Sequence, residues 1–174
     1  MKKCIFTFLA LPVLLVACNS SQQTNADSST ASSIQMPYQA SYTTEFDNNV
    51  SDSDVLTVLN SYKYWETGDL NALRSTLADS IVVAGANGFK FSGPTDSLMK
   101  MWGIQRDSLS SVTITMDVWL KNHSVKDSLD FINVWYKEID TYKNGKVDSA
   151  YYEDDNAMKD GKITWFSSHK QVLK

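Results

Sequence analysis

A chain of 174 residues is long enough for one domain of ordinary size. Its 20 acidic residues outnumber 16 basic ones, for a formal charge of −4, which argues against nucleic acid or a bare anionic bilayer as partner. Its two histidines lack His-x-x-x-His spacing, and no phosphate loop, Gly-x-Gly-x-x-Gly or Gly-x-Ser-x-Gly is present. The sequence therefore implies no metal and no cofactor.

The first residues are not part of a fold. Lys2 and Lys3 precede an apolar run, Ile5 to Val16, of signal-peptide length and too short to span a bilayer comfortably. Leu15-Val16-Ala17-Cys18 follows and resembles the lipobox of bacterial lipoproteins. The resemblance implies a signal peptide over 1–17 and a lipidated Cys18 as mature N-terminus. Cleavage removes two lysines and no acid, so the mature chain is more acidic still. Its membrane attachment would come from acyl chains, at about 0.8 kcal/mol per buried CH₂. Cys4 is lost with the signal and Cys18 is taken by the lipid, which leaves no thiol for a disulfide. Asn19 is not the aspartate that retains many such proteins in the inner membrane, which points to the outer membrane of the cell envelope.

Residues 19–33 are nearly all Ser, Thr, Asn, Gln and Ala, and read as a flexible tether. Tyr38, Tyr42 and Phe46 recur every four residues, but 34–50 reads as an irregular lead-in, so the tether is drawn over 18–50 and the domain over 51–174.

A first helix is predicted from Asp52 to Thr67. Ser51 and Asp54 resemble a capping box, and Val55, Val58, Leu59, Tyr62 and Trp65 form one stripe. Gly68 ends it. Asp69 caps a short second helix with Leu70, Leu73 and Leu77 facing inward. Ile81–Ala84 is a short strand, Asn87-Gly88 a turn, and Phe89–Phe91 its return. Gly93-Pro94 opens a third helix with Leu98, Met101 and Trp102 on its inner face. Val112, Ile114, Met116, Val118 and Leu120 then alternate with polar residues and Trp119, as in a strand with one buried face. Three long strands follow, Leu129–Tyr142, Val147–Met158 and Ile163–Val172. Asn144-Gly145 and Asp160-Gly161 join them, dipeptides suited to type I′ turns. The class is α+β, a curved antiparallel sheet wrapped around about three N-terminal helices.

This order resembles the nuclear-transport-factor-2-like fold in its SnoaL-like branch. Gly68-Asp69-Leu70, Leu77-Ala78-Asp79, Ser92-Gly93 and Asp160-Gly161-Lys162-Ile163 carry the resemblance, over about residues 52–172. It implies a cone with an open mouth, suited to small apolar ligands, on a scaffold that hosts isomerases, dehydratases, epoxide hydrolases, cyclases and binding modules. The base used by the ketosteroid isomerases of this superfamily falls on Gly85. Their oxyanion-hole tyrosine falls on Ser61, one position from Tyr62, and their neutral aspartate falls on Asp154. An isomerase of that type is therefore not expected.

Within Glu153-Asp154-Asp155, alternation sets Asp154, Asn156 and Met158 on one face. Asp154 is the candidate catalytic acid or base if that face is the cone's interior, and part of a solvated edge otherwise; His169 is a lesser candidate. The resemblance implies that Tyr62, Trp65, Met101 and Trp102 line the cone, with Asn156 as an orienting donor. Large indoles from two helices could equally fill it. His123 is expected in an exposed hairpin loop, and Asp79 to satisfy backbone donors at a turn. Aromatic residues on the sheet's outer face suggest a homodimer. Three functions follow: a membrane-anchored module binding a small partly apolar ligand or a partner protein; a cyclase-, isomerase- or hydrolase-type enzyme using Asp154; or a structural dimerisation module with a filled cone.

Overall fold

The computed structural model describes residues 37–38, 40 and 42–173; the signal segment, Cys18 and residues 19–33 of the tether lie outside them. Ten elements follow in order: β1 Phe46–Asp47, α1 Asp52–Thr67, α2 Leu70–Thr76, β2 Leu77–Ala84, β3 Lys90–Pro94, α3 Thr95–Asp107, β4 Leu109–Ser124, β5 Leu129–Tyr142, β6 Val147–Lys159 and β7 Lys162–Val172. All fall in the unit Ala40–Lys174.

The strands form one sheet in the order β1-β4-β5-β6-β7-β2-β3. Every neighbouring pair is antiparallel except β2 with β7. That one parallel pair brings the early hairpin β2–β3 alongside the last strand. The three helices cover the sheet's concave side. Val58 of α1, Ile81 of β2, Leu98 of α3, and Ile132 and Val134 of β5 are all buried to within about one percent. Removing each such side chain from water is worth about 1.5–3 kcal/mol.

The ends of α1 show why its boundaries were legible. The Ser51 hydroxyl accepts the Asp54 N–H at 3.1 Å. The Asp54 carboxylate accepts the Ser51 hydroxyl at 2.9 Å, since it is too short for the backbone N–H that a glutamate takes in a capping box. At the other end Gly68 adopts φ 78°, and its N–H and that of Asp69 bond to Trp65 and Tyr64 carbonyls. The Arg106 guanidinium of α3 donates to the Trp65 and Glu66 carbonyls at 3.0 and 3.1 Å. The C-terminal carbonyls of α1 are thus tied to α3.

Several expectations need correction. Phe46–Asp47, expected in an irregular lead-in, pairs with Ser124 and His123 as an edge strand. Leu77 begins β2 rather than ending α2, and Pro94 closes β3, with α3 starting one residue later. Of the two C-terminal turns, only Asp160-Gly161 has both φ values positive, as a type I′ turn needs. At Asn144-Gly145 only the glycine does; Tyr142 N–H bonds to Lys146 O and Gly145 N–H to Tyr142 O, a longer turn with glycine in the left-handed position.

The largest departure is in β4. Its ladder with β5 skips a residue between Met116, opposite Tyr136, and Val118, opposite Trp135. This bulge at Asp117 reverses the alternation. Trp119 pairs with the buried Val134 and lies on the helix side, while Val118 and Leu120 turn to the outer face; all three are exposed. His123, expected in a loop, lies within β4, partly buried, with Nδ1 2.6 Å from the Asp130 carboxylate.

Candidate functional site

The concave side of the sheet encloses a cavity of about 500 Å³. The cone is therefore not filled. Its apolar wall comes from Trp65 of α1, Met101 and Trp102 of α3 and Phe166 of β7. The Trp102 ring meets both Trp65 and Phe166 edge-on, each at 6.4 Å between centroids. The indoles pack against each other along one side and leave the middle open. Met101, expected on the inner face of its helix, is 39% exposed and borders the cavity from the rim.

Asp154 sits in the middle of β6, fully buried, with Asn156 beside it. Its Oδ2 accepts the Tyr136 hydroxyl at 2.8 Å and the Tyr62 hydroxyl at 3.0 Å. Asn156 Nδ2 in turn donates to the Tyr62 oxygen at 3.1 Å and to the Ile132 carbonyl at 3.2 Å. The result is a directed chain, from amide to phenol to carboxylate, closed by a second phenol. Burial pushes the Asp154 carboxyl up to about 6, against hydrogen bonding from Ser168, Tyr136 and Tyr62 that favours the charged form. Ser168 is its cross-strand partner, yet Asp154 Oδ1 makes no hydrogen bond of ordinary length among the described residues. Burial and the Asp154 charge raise both phenols well above their usual range.

Of the six candidates, Tyr62, Trp65, Met101, Trp102 and Asn156 border the cavity and Asp154 does not. Tyr62 and Tyr136, which do border it, connect Asp154 to the open space by hydrogen bonds, and the cross-strand neighbour of Asp154, Ser168, borders it too. His169 pairs with Glu153 on the other face and is exposed. Gly85 borders the cavity and offers no base; a side chain there would bring its Cβ to 3.1 Å from Phe89 Cβ. Asp79 receives the Arg74 guanidinium at 3.2 Å rather than backbone donors, and its side chain is exposed.

The carboxylates that do border the cavity are Glu138, Asp140 and Asp148. None was singled out from the sequence. Ile132, Val134, Tyr136, Glu138 and Asp140 alternate along β5, so the period that fixes the buried valine and isoleucine also turns both acids inward. Glu138 is pushed up to about 8, by burial first and then by the charges of Asp140 and Asp154, with Lys170 opposing. Burial also raises Asp140, whose Oδ1 has no hydrogen-bond partner among the described residues. Lys170 of β7 donates to Asp148 at 3.2 Å and lies over the Tyr152 ring. Among the described residues, no three acidic, histidine or cysteine side chains come together as a metal-holding group.

The chemistry available is thus acid–base and hydrogen bonding at one end of an aromatic-walled space. No protein-family model matches the sequence, and no curated protein matches it significantly. Solved structures do. An NTF2-like protein of unknown function from Burkholderia pseudomallei is 17% identical, with a TM-score of 0.54 over 70% of this chain and 92% of its own. An LEH-like epoxide hydrolase from Mycobacterium tuberculosis is 9% identical, with a TM-score of 0.59 over 70% of this chain and 84% of its own. A ketosteroid isomerase-like protein from Erwinia carotovora atroseptica is 13% identical, with a TM-score of 0.58 over 73% of this chain and all of its own. Likeness at these identities establishes the fold. The chain has the nuclear-transport-factor-2-like fold, an α+β cone whose members include small-molecule enzymes.

Proposed function

We propose that this protein is a lipid-anchored module of the bacterial cell envelope whose cone binds a small, partly apolar molecule. The observation that carries the reading is the open cavity of about 500 Å³, with Trp65 and Trp102 on one wall and Glu138 and Asp140 on another. Small-molecule sites have this character, mostly apolar with a few placed polar groups, at about 300–1,000 Å³. The anchor rests on Leu15-Val16-Ala17-Cys18 and on the polar stretch after it, which would hold the cone off an outer membrane.

Native mass spectrometry of the protein purified from its source tests the binding. A noncovalent adduct released on denaturation is expected. An empty cone that also takes up no apolar probe would remove the proposal. The anchor has its own test: Cys18→Ser should move the protein from the detergent phase to the aqueous phase, and no change in partition would count against lipidation.

A second reading is an acid–base enzyme, favoured by the carboxyls held near neutrality. Glu138 would touch the substrate, and Asp154, the candidate from the sequence, would act through Tyr62 and Tyr136 as a positioning residue. Glu138→Gln would then abolish a turnover that Asp154→Asn only slows. On the outer face, the exposed Val118, Leu120 and Tyr151 favour a second copy of the chain as partner, which sedimentation would detect as a dimer.

A further inference from the structure

We infer that the molecule the cone takes is an organic cation, an apolar body carrying a protonated amine that is received by Glu138 and Asp140. This rests on the binding reading above and adds the charge of the ligand. Among the described residues, the charged ones bordering the cavity are three acids and one base. The base is already engaged, since Lys170 donates to Asp148 at 3.2 Å and covers Tyr152 with 5.4 Å from Nζ to the ring centroid. Glu138 and Asp140, on the same inward face of β5, feel the Lys170 charge but form no ion pair among the described residues.

Asp140 makes the case specific. It is 9% exposed and borders the cavity, while its Oδ1 is turned into the protein with no hydrogen-bond partner among the described residues, so the carboxylate depends on what meets it from the cavity side. A buried carboxylate in that state costs free energy unless a donor or a positive charge arrives. A protonated amine supplies both, with three N–H donors on one cation. An anion would meet acids in excess, and an alcohol would bring one donor and no charge. A metal ion lacks its ligand set, since no three acidic, histidine or cysteine side chains of the described residues gather as a metal-holding group. The aromatic lining suits a cation as well. Tyr152 stacks on Tyr136 at 5.3 Å, with the Lys170 ammonium above it, and the indoles of Trp65 and Trp102 border the same space.

Protons should move on binding. Glu138 is faced by Asp140 on its own strand, Asp154 on β6 and Lys170 on β7; Asp140 feels Lys170 most, then Asp148 and Arg106. With Glu138 pushed up to about 8, the empty cone holds its proton near neutrality. An arriving ammonium favours the carboxylate, so the complex releases that proton.

Three indoles of the same ring and different head group make the test: tryptamine, tryptophol and indole-3-acetate, titrated calorimetrically into the purified full-length protein. Tryptamine should bind at least about tenfold more tightly than tryptophol, and indole-3-acetate most weakly. Titration near neutrality in buffers of different ionisation enthalpy should show proton release with tryptamine alone. Asp140→Asn and Glu138→Gln should each bring tryptamine to within about threefold of tryptophol. Both are conservative amides, and circular dichroism checks that each folds. Equal affinities, or a preference that survives both amides, would overturn the assignment of charge and leave the apolar cavity standing. If none of the three binds at millimolar concentration, the cation and the small-molecule reading fall together.

Discussion

Tyr62 on α1 and Asp154 on β6, 92 residues apart, share a buried hydrogen bond of 3.0 Å. With Tyr136 and Asn156 it pins the first helix to the centre of the sheet. Tyr62→Phe removes a donor to the carboxylate and the acceptor of Asn156, and should cost about 1–2 kcal/mol in urea denaturation. Asp154→Ala leaves both phenols without an acceptor and should cost about 3 kcal/mol. Asp154→Asn, which retains a carbonyl oxygen, should fall below that. The Tyr62→Phe cost should shrink in the Asp154→Ala background, because the partner is gone. Strict additivity would mean that the bond contributes little.

The raised carboxyls, Glu138, Asp154 and Asp140, set a pH dependence. Glu138 goes from 4.5 to about 8 and Asp154 from 3.8 to about 6 on folding, both by burial first. Between the ordinary and raised values the folded protein holds protons that the unfolded chain has lost, so stability falls as pH rises. The contribution is complete below the ordinary values and gone once pH has passed through the raised ones. Glu66 and Asp148, kept low by hydrogen bonds from Lys63 and Lys170, act in the opposite sense but only in acid. The protein should therefore lose on the order of a few kcal/mol between about pH 5 and pH 9. Glu138→Gln should flatten the upper part of that profile. A stability that rises across this interval would contradict the burial assigned to these groups.

What the sequence disclosed follows the same physics. The α1 stripe and the three long C-terminal strands were legible because caps, turns and period agree over more than ten residues each. The second half of β4 was not, because one extra residue at Asp117 reverses inside and outside and leaves no mark in composition. The aromatic lining was readable from helical spacing and the resemblance together. The acids of the cavity were passed over because charged residues in a strand usually mark its solvent face. Glu138 and Asp140 fall in phase with Ile132 and Val134, and strict counting along β5 would have found them. The bonds among Tyr62, Tyr136 and Asp154 join three elements distant in the chain, and no local pattern encodes them.

Gly68 offers a test of how α1 is held to α3. Its φ of 78° disfavours any side chain, and a Cβ there would lie 3.2 Å from Arg106 Nη2. Gly68→Ala should strain the cap and press on the guanidinium that holds the last carbonyls of α1. The expected cost is about 1–2 kcal/mol, or on the order of 5 °C in Tm. Arg106→Lys, which loses the planar fork, should cost less and should reduce the effect of Gly68→Ala when the two are combined. Independent effects would mean that glycine is required for its φ alone.

Trp102 separates the apolar from the charged half of the site. Its ring bridges Trp65 and Phe166, both at 6.4 Å and both edge-on. Trp102→Ala should cost about 2–3 kcal/mol, less than a fully buried tryptophan because the residue is partly exposed. It should widen the cavity along α3 and weaken every indole ligand by a similar factor, about tenfold, since the lost contact is with the ring. The preference for tryptamine over tryptophol should survive, because Glu138 and Asp140 lie on β5 and do not depend on that indole. Calorimetry on the folded variant gives both numbers. If Trp102→Ala erased the preference while leaving tryptophol unchanged, the cation would be resting on the indole face and not on the carboxylates.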